Sequence, residues 1–270
     1  FVVQALTLAM FAVFELVAGL LAHSVALIAD SAHMAVDVGV AAASGWVITL
    51  MRRPSSDFYT FGLGRADVMM AEFQGISFIA TAALAGWEGV RRFLNPSPVQ
   101  GSLVVIASVV GALASLVLLI VLRRADHSMT EEAGLRHEIQ DLAGFGATFL
   151  AGGMIWITNW SRWDGLASIV VASVMVNHAY VTLKQSGRIL LEASPNDIDL
   201  NEIRSFIESS EVKPRVINLH VWSINSSINS MTVHIAVAEG TDCHLLQRQL
   251  DEHCRAHYSI SHTTIQTSHS

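Results

Sequence analysis

The feature that most limits what this chain can become is a series of long, nearly uninterrupted apolar runs. A helix needs about 20 consecutive apolar residues to cross the hydrocarbon core of a bilayer. Six runs approach that length, at roughly 1–20, 24–50, 66–92, 102–122, 132–158 and 163–187. They show no strict alternation, so the pattern is that of membrane helices and not of a β-barrel. Composition agrees: 52% of the residues are hydrophobic and 14% charged.

The breaks between runs read as turns. "AHS" separates the first two, "MRRPSSDFYTFGLGR" is a polar loop, "NPSPVQG" is a strong turn signal, and "RRADHSMTEEAGLR" and "TNWSRWD" are polar links. Basic residues near the span ends set orientation. Arg52, Arg53, Arg65, Arg123, Arg124, Arg136, Lys184 and Arg188 fall on one side, against Arg91, Arg92 and Arg162 on the other. Both termini are therefore expected in the cytoplasm, and the protein in the plasma (inner) membrane. The chain opens at Phe1 within an apolar run, so residues ahead of it are expected. That run lacks the flank and cleavage pattern of a signal peptide. The two cysteines, Cys243 and Cys254, suggest no disulfide framework. A net charge of -7 without a basic stripe argues against a nucleic-acid partner.

After about Leu191 the text becomes that of a small soluble domain. "SPNDIDLNEIRSFIES" predicts a helix beginning near Pro195. "PRVINLHVWSI" and "SMTVHIAV" predict strands, "DCHLLQRQLDEHCRAH" an amphipathic helix and "SHTTIQT" a last strand. The reading is a transmembrane domain over 1–190 and an αββαβ domain over 191–270.

Two polar pairs interrupt the oil. His33 and Asp37 stand four residues apart in "HMAVD", and His137 and Asp141 repeat the spacing in "HEIQD". Residues i and i+4 share a helix face. An Asp at mid-bilayer costs about 3 kcal/mol on insertion scales, so such groups persist where they serve a function or meet a partner. Taken singly, each pair also fits a polar contact gluing two helices. Two pairs in two spans point instead to a four-ligand site of two imidazoles and two carboxylates. That set suits Zn²⁺, accepts other divalent ions, and without thiolates is a poor match for Cu(I). Asp30 shares the face of His33, either as an accessory to the site or as an interfacial carboxylate. Glu15 and Glu72 are further candidates. Gly144, Gly146, Gly152 and Gly153 are expected to permit close helix packing.

Several of these stretches resemble the cation diffusion facilitator family of zinc transporters, of prokaryotic type. "SVALIADSAHMAVD", "YTFGLGRADVMMAEF", "HEIQDLAGFGATF" and "WDGLASIVVA" resemble its membrane motifs, and "INLHVWSINSSINSMTVHIAV" and "HTTIQ" its cytoplasmic domain. The resemblance spans essentially the whole chain. It implies a homodimer with six spans per protomer and a ferredoxin-like cytoplasmic domain. It also implies metal export from the cytoplasm in exchange for protons, with His33, Asp37, His137 and Asp141 as the transport site. Zn²⁺ is the expected substrate, with Cd²⁺, Co²⁺, Fe²⁺ and Mn²⁺ as other possible cargo. Loop 2–3 departs from relatives with a second metal site: Tyr59 and Leu63 stand where those have His, leaving only Asp57. In the cytoplasmic domain His234 matches a ligand position, while Ile217, Gln266 and Ser268 depart from the pattern. Two other readings are an intramembrane zinc enzyme and a metal-sensing or heterodimer-assembly protein. No general base stands beside the ligand pairs as in HExxH, which argues against the enzyme. An intact ligand set argues against a vestigial site.

Overall fold

The computed structural model describes residues 2–122 and 129–269. Six long helices come first: α1 (Val2–Ala22), α2 (Val25–Met51), α3 (Ala66–Leu94), α4 (Gly101–Leu122), α5 (Met129–Thr158) and α6 (Arg162–Leu190). Four of them, α2, α3, α5 and α6, hold apolar stretches long enough to cross a membrane. The other two, α1 and α4, contribute shorter apolar stretches among the described residues, Leu8–Ala22 and Gly101–Val117. Arg123, Arg124 and His127 lie outside the described residues, as do the side chains of Arg136 and His137.

The chain divides into two compact units, one of Phe1–Trp46 with Phe73–Leu183, the other of Val47–Glu72 with Lys184–Ser270. In the first, helices approach closely where glycine removes the side chain. A β-carbon on Gly101 of α4 would stand 2.6 Å from the Gly152 carbonyl of α5. One on Gly165 of α6 would stand 2.7 Å from the Gly89 carbonyl of α3. Two tight pairs result, α4 with α5 and α3 with α6. Among the described residues, Gly152 alone of the glycines expected to serve packing does so; a β-carbon on Gly144, Gly146 or Gly153 would meet none of the described atoms within 4 Å.

Helix α2 is fixed at its start by α6. The buried Asp164 carboxylate accepts from the Ser24 hydroxyl, from Val25 N at 2.8 Å and from Ala26 N at 3.4 Å. It thus caps a helix distant in sequence, satisfying amide donors that have no partner within their own helix. Below this cap Ala29 of α2 packs with Ala82 and Ala85 of α3 and with Val171, Ala172 and Met175 of α6. On another side Met34 packs with Ala12 of α1 and Phe145 of α5. The face of α2 that carries His33 is therefore held at a fixed height among neighbours.

In the second unit the order is α7 (Leu200–Glu208), β1 (Arg215–Ser223), β2 (Asn229–Val237), α8 (Cys243–Tyr258) and β3 (Ile260–His269). β1 and β2 are antiparallel, and β3 joins β2 in parallel. The αββαβ order matches the expectation. Helix α7, however, begins later than Pro195, because Asp199 takes the N-cap position and accepts from Asn201 N at 2.8 Å. Asp242 caps α8 in the same way, accepting from Leu245 N at 3.0 Å. Alternation sends Val216, Leu219, Val221, Val233, Ile235 and Ile265 toward α7 and α8, where Ile203, Ile207, Leu246 and Leu250 complete the core. Both cysteines are free, and burial pushes the Cys254 thiol up to about 11, leaving it unreactive. Elsewhere in this unit Asp67, at the start of α3, accepts from Ser226 N at 3.3 Å and from the Ser226 hydroxyl at 2.6 Å.

Candidate metal centre

Helix α2 presents Asp30, His33 and Asp37 along one face, as three- and four-residue spacing requires, and all three are buried. His33 Nε2 lies 3.3 Å from Asp37 Oδ2 and 3.8 Å from Asp141 Oδ1 of α5. The structure thus brings together three of the four residues expected to bind metal. The fourth, His137, has its side chain outside the described residues.

The imidazole is turned onto the two carboxylates. Among the described residues no set of three or more His, Cys, Asp and Glu side chains has the arrangement of a metal site. The arrangement is that of a basic ring shared by two acids, a configuration in which a proton on the ring and a cation on the carboxylates are alternatives.

Other groups close the cluster. Gln74 of α3 donates from Nε2 to Asp37 Oδ1 at 3.1 Å. Phe78 of α3 lies against the His33 ring, with centroids 4.7 Å apart. His178 of α6, also buried, sets its ring edge-on to His33. Gln74, Phe78 and His178 were not among the residues expected at the site. Gln74 is neutral, and a single His in an apolar helix has no spacing partner to draw attention. Toward α1 the cluster continues through acids. Glu15 is fully buried, with neither carboxyl oxygen hydrogen-bonded among the described residues. It lies within electrostatic reach of Asp30 and Asp141. Asp30 is in turn within reach of His33, Asp37 and Asp141. Glu72 is elsewhere engaged, accepting from the Ser186 hydroxyl at 2.7 Å.

His234 lies on β2, paired in register with Asn218 on one side and Gln266 on the other. Its Nε2 is 3.1 Å from the Ser268 hydroxyl. This is the sheet face opposite the helices, where His220, Thr232 and Thr264 also sit in register.

Comparison with known proteins adds to this geometry. Residues 1–191 match the family described as the cation efflux transmembrane domain. Residues 195–269 match that of the cation efflux protein cytoplasmic domain. The zinc transporter ZitB of Escherichia coli is 31% identical over 260 residues, covering 95% of this chain and 82% of that protein. The cadmium, cobalt and zinc/H(+)-K(+) antiporter of Bacillus subtilis is 29% identical over 94% of this chain and 83% of its own length. The metal cation efflux system protein CzcD of Cupriavidus metallidurans is 27% identical over 95% of this chain and 82% of its own length.

Proposed function

This chain belongs to the cation efflux family of membrane transporters, and from that premise we propose that it exports zinc from the cytoplasm in exchange for protons. It is a transporter and not an enzyme. The observation that carries the reading is the shared position of His33 between Asp37 and Asp141, on two helices, in a buried cluster. With His137 from the turn of α5 before Asp141, the donor set is two imidazoles and two carboxylates. Such a set favours Zn²⁺ and accepts Cd²⁺ and Co²⁺, the ions in the names of the relatives.

Proton exchange follows from the same contacts. A protonated His33 pairs with both carboxylates, whereas metal binding needs the ring neutral and the carboxylates ionised. Zinc arriving from the cytoplasm displaces the proton and parts His33 from Asp37 and Asp141. Protons from the more acidic side restore the pairing and expel the ion. Helix packing gives alternating access a mechanical basis: α4–α5 and α3–α6 are the tight pairs, and α2 bears the site between them. The rest of the reading is a plasma-membrane homodimer with α1 and α4 completing six spans. Both termini are cytoplasmic and the C-terminal domain is ferredoxin-like. His234 is the candidate contact with metal in that domain.

Zinc uptake into inside-out vesicles tests this. An imposed pH gradient, acid inside, should accelerate uptake, and Asp37→Ala should abolish it. Equal rates with the gradient collapsed would remove proton coupling, and a fully active D37A variant would remove the site.

A further inference from the structure

One buried group in the cluster has no part in the four-ligand reading. His178 is 8% exposed, in the membrane-spanning body of α6. An ionisable side chain at such a place is costly and marks function when it faces the bundle interior. It does face the interior: its ring stands at 66° to that of His33 with centroids 5.5 Å apart. Phe78 lies against both rings.

Height along the helices agrees. Asp164 and Ser24 bind each other, so α6 and α2 start at one level. At 1.5 Å per residue from that link, His178 stands about 21 Å along α6, level with Asp37 at about 20 Å along α2. His33, at about 14 Å, is about 7 Å short of that level, so the His178 ring meets that of His33 by leaning back toward the start of α6. Ring geometry agrees as well. A zinc ion about 2.0 Å from an imidazole nitrogen is about 3.2 Å from the ring centroid, so two imidazoles on one ion with an expanded set of five donors have centroids about 4.5–5.5 Å apart.

We propose that His178 is a further ligand of the transported cation, supplied by α6 beside His33. The proposal deepens the zinc-site reading above and rests on it. It raises the nitrogen donors from two to three. That favours borderline ions such as Zn²⁺, Co²⁺ and Cd²⁺ over Mn²⁺ and Mg²⁺, which prefer oxygen. It also ties the ion to both tight helix pairs, to α5 through Asp141 and to α6 through His178. Separating the pairs then removes a ligand, which gives the transport cycle a release step.

The test uses the full chain in detergent with zinc alone as probe. X-ray absorption counts the imidazoles on bound zinc, and chelator competition measures affinity. His178→Phe keeps an aromatic ring against Phe78, and His178→Gln keeps polarity. Both should lose one imidazole relative to wild type and bind zinc more weakly by over about a hundredfold, beyond the range usual for outer-sphere partners, with a smaller zinc-over-manganese preference. An unchanged imidazole count and affinity in H178F would mean that the ring only packs, and overturns the proposal. Should neither variant fold, the wild-type spectrum decides: three imidazoles support the proposal and two or fewer overturn it. Asp37→Asn separates the two levels. If D37N binds zinc as wild type does, the site reading itself fails. If D37N is defective while wild type and H178F give the same spectrum, only the role of His178 fails.

Discussion

Helices α2 and α8 each carry a histidine four residues from a second side chain able to bind metal, and only in α2 is that pair buried against a third such side chain. In α2, His33 and Asp37 are nearly inaccessible, with side chains 5% and 9% exposed, and a carboxylate from α5 completes the contact. In α8, His253 and His257 stack with centroids 4.0 Å apart and planes inclined by 19°. His253 stacks on Phe206 as well, at 3.5 Å and 8°. A metal lies in the plane of each imidazole that binds it, and nearly parallel rings share no such point. The α8 pair is thus a stacking arrangement on an amphipathic helix. Sequence spacing places two side chains on one face. Burial and ring orientation decide whether they can hold an ion.

The sharpest way to break this contrast is to disable each pair. Asp141→Ala should lower zinc transport by more than about a hundredfold, beyond the range usual for outer-sphere partners of a metal. The double variant His253→Ala/His257→Ala should stay within about twofold of wild type in the same vesicle assay. A large transport defect in the α8 variant would mean that its histidines handle metal after all.

The same contrast runs through the helix caps. Asp164 caps α2 from a buried position with three donors on it, whereas Asp199 and Asp242 cap α7 and α8 near solvent. Removing a buried charged acceptor strands its donors without water. Asp164→Ala should cost about 3 kcal/mol, and Asp242→Ala only about 1 kcal/mol. Denaturation of the detergent-solubilised chain, followed by helicity and by tryptophan emission, ranks them. Equal losses would show that water reaches the α2 cap.

These differences also explain what could be read from the residues alone. Helix limits were legible because apolar runs end at Gly, Pro and charge, and the αββαβ order because strand and helix periods differ. That His33, Asp37 and Asp141 come together was legible because i, i+4 pairing of costly residues in oil has few explanations, while His137 falls outside the described side chains. Burial direction was not legible. Glu15 is a single acid in an apolar helix, and nothing local says that it faces inward. His178 lacked a partner four residues away, and its partners lie on α2 and α3. Gly152 and Gly153 are adjacent and chemically identical, yet only one meets α4. Asp199, and not Pro195, starts α7, because a side chain able to accept from the helix amides outweighs the preference of proline for a first turn.

The smallest expected effect is also the most local. The His253 imidazole lies below its usual value of 6.5, first because burial against its aromatic neighbours disfavours the charged ring, and second because a charge on His257 repels it. A histidine whose value falls on folding favours the neutral form in the folded state. Below about pH 6.5 the unfolded chain therefore binds more protons than the folded one, and stability declines as pH falls until the folded value is passed. At higher pH the group has no influence. His257→Ala removes the repulsion and one of the two stacked rings but leaves the stack on Phe206, so His253 should titrate closer to 6.5 while remaining below it. NMR of the histidine-labelled full chain reads this directly. A His253 value in H257A equal to that in wild type would assign the whole shift to the stack on Phe206. A value that reaches 6.5 would assign it to charge, and would mean that the α8 rings are far more open to water than the 3.5 Å stack implies.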